Sequence, residues 1–273
     1  MNNLYLSELH IYPIKSLGGI SLQQSEITET GLKYDRKWML IDDEGTFVTQ
    51  RKHFELAMLQ VKIDAETLSV SHKKDPAISI SFSLEENTGI TIPVRIWDDE
   101  STGLEVSKEV NRWFSDFMQM PVRLVQMPAE ARRLVDPRYA EENEIVSFAD
   151  GYPCLLISQA SLNGLNDKLK DPVRMDRFRP NFVFTGGEAH IEDTFGSFYL
   201  GDVLFSAVKP CARCVLTTID QQTGEKGHEP LKTLAGYRTI NKKVMFGQNL
   251  IHQGNGTIRI GDQIRVKDWK PIA

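Results

Sequence analysis

The sequence is short of cysteine, of net positive charge and of long apolar runs, and each shortage removes a class of protein. Three cysteines in 273 residues are too few for a disulfide scaffold and odd in number. That usage favours a reducing compartment in which thiols pack or carry chemistry, so a cytoplasmic location is expected. A formal net charge of -5 gives no global source for the phosphate neutralisation that drives nucleic-acid affinity, and no nucleic-acid partner is expected. An anionic ligand would need a local cluster of Lys and Arg instead. No stretch approaches the ~18–20 continuous apolar residues of a membrane helix. The opening MNNLYLSELHIYPIKSLGG, interrupted by Glu8 and His10, does not read as a secretory signal, and no membrane association is expected. Internal repeats and low-complexity tracts are lacking too. With 41% hydrophobic and 25% charged residues the composition is that of a globular protein, and the length suits one large domain or two modest ones.

Short apolar alternations separated by turn residues fill the first hundred positions: 4–9, 20–27, 38–42, 59–64, 68–72, 77–82 and 90–97. This is the pattern of an antiparallel sheet or barrel. Asp42 to Gly45 reads as a hairpin turn, with Gly45 free to take positive φ. Val110, Trp113, Phe114 and Phe117 then fall at the i, i+3, i+4, i+7 spacing of an amphipathic helix over 107–118. The polar segment 131–144, with Pro137, reads as an exposed connection or lid. The second half mixes types. A strand at 154–158 runs into a helix over 159–170, for which Ser158 is a plausible N-cap. Strands are expected again at 181–186, 198–208, 215–220, 249–253 and 257–266, with a short helix between Pro230 and Tyr237. Strands outnumber helices without alternating regularly with them, so the fold class is β-rich α+β. The module boundary is placed near residue 123.

Cys211 and Cys214 form the one close cysteine pair in the sequence, and spacing leaves their purpose open. A structural zinc site needs four ligands and a second pair, whereas His190, His228 and His252 are each solitary. A reactive dithiol belongs at a helix N-terminus, whereas VLTTID after the pair is β-branched and reads as strand. Two packed thiols remain the plain alternative.

A resemblance spread along the chain narrows the choice. KPCARCVLTTID (209–220), EPLKTLAGYR (229–238), FGQNLI (246–251) and GTIRIGDQI (256–264) resemble the MOSC domain, the molybdenum-cofactor sulfurase C-terminal domain. YPIKSLGG (12–19), YDRKWMLID (34–42), FADGYP (148–153) and FRPN (178–181) follow the same family in the same order. The nearer branch is the one with the mitochondrial amidoxime-reducing component and the bacterial YcbX-type proteins. The resemblance implies an N-terminal β-barrel-type domain over 1–123, whose residues 1–36 contribute to the cofactor site, and a MOSC β-barrel with a few peripheral helices over 124–267. It implies Mo-molybdopterin as cofactor and Cys214 as the protein thiolate on the metal, a soft ligand beside the dithiolene sulfurs. Arg213 beside it would favour the ionised thiol, while Cys211 takes a structural, buried role.

The same resemblance assigns cofactor contacts to Lys15 and Ser16, where Gly18 and Gly19 would allow close backbone approach. It adds Arg36, Arg179 and Asn181, Ala212 and Arg213, and Gly247, Gln248 and Asn249 as the closing side. Asp150 would stand near the metal and orient a ligand or relay protons, though an Asp-Gly turn pair is common by itself. Tyr152 departs from the small hydroxyl residue found there among amidoxime reductases. The implied activity is reduction of N-hydroxylated bases, amidoximes or hydroxylamines, a detoxification chemistry. YcbX-type chains carry a further ferredoxin-like domain, and this sequence has no cysteine after Cys214. Electrons are therefore expected from a separate ferredoxin-, flavodoxin- or cytochrome-type protein. A different implied role is cofactor carriage or sulfur transfer through a cysteine persulfide.

Overall fold

The computed structural model describes residues 3–271; of the domain reading, only positions 1 and 2 lie outside it. Its backbone is β-rich α+β. The largest sheet runs in the order Ile264–Trp269, Phe195–Leu200, Val203–Ala212, Lys243–Gln253, Cys154–Ser158, Phe182–Thr185, Tyr5–Ile11, Ile20–Leu22. Cys154–Ser158 and Phe182–Thr185 run parallel; the other named neighbours are antiparallel. Backbone bonds from Leu6 N to Asp262 O and from Ile264 N to Leu4 O join Tyr5–Ile11, the last strand but one in this order, to the start of the first, Ile264–Trp269, so that the sheet curls round into a barrel. Closure removes edges that would otherwise template pairing. Phe182, Phe184, Phe195, Phe198 and Phe205 fill the interior, all fully buried.

The N-terminal strand thus completes a sheet made mostly by the second half of the chain. Further on, Trp38–Ile41, Arg123–Gln126, Asp99–Glu105 and Thr91–Ile96 form a four-stranded antiparallel sheet. Leu59–Asp64, Thr67–His72 and Ser79–Ser83 form a three-stranded one. The helix Lys108–Met118 is capped by the Ser107 hydroxyl and buries Val110, Phe114 and Met118. These join Trp38, Leu40, Leu56 and Leu59 in a second core, which is why the apolar spacing at 110–117 was legible.

Three expectations give way to local chemistry. The helix after Ser158 ends at Asn166 instead of 170, its last turns loosening into bonds from Lys168 and Leu169 to carbonyls three residues back. The segment 131–144 is irregular but not simply exposed: Arg133 is 3% exposed and its guanidinium donates to the carbonyls of Ser147, Ala149 and Asp150. VLTTID is a 3-10 turn over Val215–Thr218, not a strand. The Thr217 hydroxyl donates to Cys214 O and the Thr218 hydroxyl to Val215 O. Threonine hydroxyls bonding back three residues hold a tight turn that β propensity alone would not suggest.

Candidate functional site

Where the barrel meets the first-half sheets lies an open cavity of about 870 Å³, counting its mouth. Lys15, Ser16, Arg36, Asp150, Arg179, Asn181, Ala212, Arg213, Cys214 and Asn249 all line it, so residues from six separate sequence segments converge. Gly247 and Gln248 do not line it. Gln248 is buried and donates to Asp193 on the far side of its strand, as alternation along a strand requires when Asn249 faces the cavity. Gly247 has φ 80°, and a Cβ there would stand 2.6 Å from Ile157, so its glycine serves packing. Gly18 and Gly19 are also outside the cavity; a Cβ on Gly19 would meet the Tyr12 ring at 2.5 Å.

Basic side chains dominate the walls, each held by a specific partner. Lys15 is 6% exposed, and its ammonium donates to Phe148 O at 2.8 Å and to Asp150 Oδ1 at 2.6 Å. Burial pulls its pKa down to about 8, against the opposing attraction of Asp150. Lys15 and Arg51, both hydrogen-bonded to it, hold the Asp150 carboxyl well below the usual carboxylate range. Arg36 pairs with buried Asp35 at 2.6 Å and donates to Asn181 Oδ1 and Arg179 O. The guanidiniums of Arg36 and Arg179 both pack on the Tyr12 ring, at 4.3 and 4.2 Å. Asn181 spends its side chain joining His10 O to Leu155 N, so it braces two strands while lining the cavity.

Two donors are left over. Arg179 is 7% exposed; one terminal nitrogen donates to Leu17 O at 2.7 Å, and Nη2 is buried without a partner. Arg213 donates through Nε to Phe246 O and through Nη1 to Phe178 O, and its Nη2 is likewise buried and unpartnered. Stranded cationic donors cost about 1–3 kcal/mol each or more, and an anion in the cavity is what would relieve them. Burial, reinforced by the neighbouring Arg36, lowers the Arg179 pKa to about 10. Ser16, Arg36 and Arg179 also have left-handed backbone, with φ of 72°, 49° and 53°, a conformation that persists only where the surroundings impose it.

Cys214 sits at the N-terminal end of the Val215–Thr218 turn. Its neighbour in sequence, Arg213, is turned away toward Phe178 and Phe246. The guanidinium that reaches the sulfur belongs to Arg51, whose Nε lies 3.1 Å from Sγ. Sequence reading missed Arg51 because a lone Arg in a polar loop looks like a solvated charge; only the topology brings it here. Arg177 was missed for the same reason, and it lines the wall while pairing with Asp220 at 2.6 Å. Cys211 is half-buried and lines the cavity instead of packing away; burial raises its thiol pKa, with Arg213 opposing. Tyr152 lines the wall too, its hydroxyl buried without a partner, and it packs edge-on against Tyr139 of the polar segment. Of the three solitary histidines, none lines the cavity.

Residues 3–121 match the MOSC N-terminal beta barrel domain and residues 143–265 match the MOSC domain. The chain is 33% identical to the mouse mitochondrial amidoxime-reducing component 1, over 95% of its own length and 81% of that protein. The human protein of that name is 32% identical over 95% and 82%. A molybdenum cofactor sulfurase from Bombyx mori is 29% identical over 98% of the chain, which spans 34% of that protein.

Proposed function

The chain belongs to the MOSC family, and on that premise we propose that it is a molybdenum-cofactor oxidoreductase that reduces N-hydroxylated compounds, with electrons from a separate donor protein. The observation that carries the proposal is the pairing, in one cavity, of a cysteine sulfur with stranded cationic donors. The cofactor presents a metal that accepts a soft thiolate and a pterin that ends in a phosphate. Cys214 offers the first contact, and Arg179, Arg213 and Lys15 offer the second. Among the described residues no group of three His, Cys, Asp or Glu could hold a metal ion, which suits a metal whose other ligands arrive with the pterin.

When bound, that group supplies the two-electron oxygen-atom chemistry that cleaves an N–O bond. The chain's own residues bind, orient and enclose. Lys15 and the two arginines would hold the phosphate end with charge-assisted hydrogen bonds. Asp150, held ionised, accepts from Lys15 and Arg51 and so orients both; this supports the orienting role over proton relay. Ala212 and Asn249 would close over the cofactor, and Tyr152, on the same wall, would make the space left for substrate narrower than a small hydroxyl residue would. In this reading residues 1–123 and 124–267 act as two domains, and residues 1–36 reach from the first into the site of the second.

Similarity to a molybdenum cofactor sulfurase supports a second reading, in which Cys214 carries sulfur as a persulfide or the cavity only carries cofactor. The test is reduction of an N-hydroxylated nucleobase or an amidoxime by purified holoprotein with a chemically reduced viologen as donor. Turnover that disappears in Cys214→Ser supports the reductase. Cofactor-loaded protein that reduces neither, and in which Cys214 is recovered as a persulfide, sinks it in favour of sulfur transfer.

A further inference from the structure

We infer that Arg51 is the positioning residue of this site: it fixes the sulfur of Cys214 toward the cavity, so that a first-half segment sets the geometry of a ligand carried by the second half. The inference rests on the reading of Cys214 as a ligand, but its physical content can be tested without any cofactor.

A cysteine side chain turns about one bond and has three staggered positions. Ligand distances in metal sites are held within about 0.2 Å, so a sulfur that wandered among them would be a poor ligand. Arg51 supplies the restraint. Nε donates to Cys214 Sγ at 3.1 Å, Nη2 donates to Asp150 Oδ2 at 2.9 Å, and Nη1 lies 3.4 Å from the Thr49 hydroxyl. All three nitrogens of a planar, rigid fork are engaged, which a point-charge ammonium could not reproduce. The guanidinium also stacks 4.5 Å from the Trp97 ring, and the Trp97 indole donates to Asp150 Oδ1 at 3.3 Å. Arg51 is therefore held along its edge and on one face.

Its backbone is tied to the turn it serves. Gln50 is 0% exposed and Gln221 4%. Their carboxamides exchange hydrogen bonds, Gln221 Nε2 to Gln50 Oε1 at 2.9 Å and Gln50 Nε2 to Gln221 Oε1 at 3.3 Å. Gln50 also donates to Ser16 O at 3.0 Å. A reciprocal amide pair is satisfied in only one register, and it locks the 49–51 stretch to the loop that leaves the Cys214 turn. Ser16 and its neighbour Lys15 are held in the same frame. Sulfur, guanidinium and Lys15 are thus placed by a single interlock between the two halves.

The test uses cofactor-free protein labelled with carbon-13 only in cysteine, with the Cys214 signals assigned by their disappearance in Cys214→Ser. A fixed sulfur gives Cys214 the unaveraged Hα–Hβ couplings of a single staggered position, either one large and one small or both small. Arg51→Gln should move both couplings to the intermediate values of rotational averaging and leave the Cys154 signals as they were. Arg51→Lys, which keeps the charge and lacks the fork, should average as well. Wild-type protein with averaged couplings, or either variant with wild-type couplings, overturns the inference. Because no metal enters the measurement, failure of the reductase reading shows separately, as wild-type holoprotein that does not turn over substrate.

Discussion

At the scale of single residues the site is a set of charges held short of full satisfaction. Arg179 Nη2 is buried and unpartnered, so it is the donor an anion should miss most. Arg179→Met should weaken sulfate binding to cofactor-free protein by about tenfold or more, since hydrogen bonds to charged groups are worth roughly 1.5–3 kcal/mol; calorimetric titration reads this directly. In the proposed reading, Lys15 makes the cavity's anion affinity depend on pH. Its pKa of about 8 lies below its ordinary value because burial disfavours the charged form. Its attraction for an anion is therefore complete below about pH 8 and is lost as pH rises through that value. Asp150, Arg51 and Arg133 face it. Sulfate keeps one charge state across this range, so its affinity should fall between pH 7 and 9 in the wild type and stay flat in Lys15→Met. A wild-type affinity that does not change would remove Lys15 from the anion site.

At the scale of elements, the pieces that place the site are held by buried polar contacts. Glu192, fully buried, accepts from Ser158 N and from the Ser161 hydroxyl at the start of the helix Gln159–Asn166. Burial raises its pKa to about 7, with the Ser161 hydrogen bond opposing. The folded state thus holds a proton between about pH 4.5 and 7 that the unfolded chain has released, and stability must fall as pH rises through that window. Denaturant unfolding should show wild type losing stability relative to Glu192→Gln from pH 4.5 to 7; parallel curves would refute it. Gln50→Ala would leave the buried Gln221 carboxamide oxygen without its donor, and about 1–3 kcal/mol of stability should go with it. The elements also show how far sequence reading reaches. Helix Lys108–Met118 and the strands with apolar alternation were legible because each buries one face. The Cys214 turn was not, because its β-branched residues signal strand while two hydroxyl-to-carbonyl bonds decide for a turn. That misreading also hid the position of Cys214 at the start of a turn.

At the scale of the whole molecule, the barrel closes only when the N-terminal strand joins strands from residues 154 to 269, and this closure carries Lys15 and Ser16 to the cavity. Most of the cavity's lining was legible through family motifs, since these mark residues that converge whatever lies between them. Arg51 and Arg177 were invisible because a lone charge in a loop carries no signal until the fold gives it a partner. Gly247 and Gln248 share a motif with Asn249, yet strand alternation and close packing point them elsewhere. The central claim is that Cys214 gives its sulfur to molybdenum held with a pterin in this cavity. The measurement that tests it is the molybdenum and pterin content of protein purified from a host that makes the cofactor. Stoichiometric molybdenum and pterin in the wild type, with molybdenum lost in Cys214→Ser, is the predicted result. Wild-type protein with neither, or a Cys214→Ser variant with undiminished molybdenum, would contradict it.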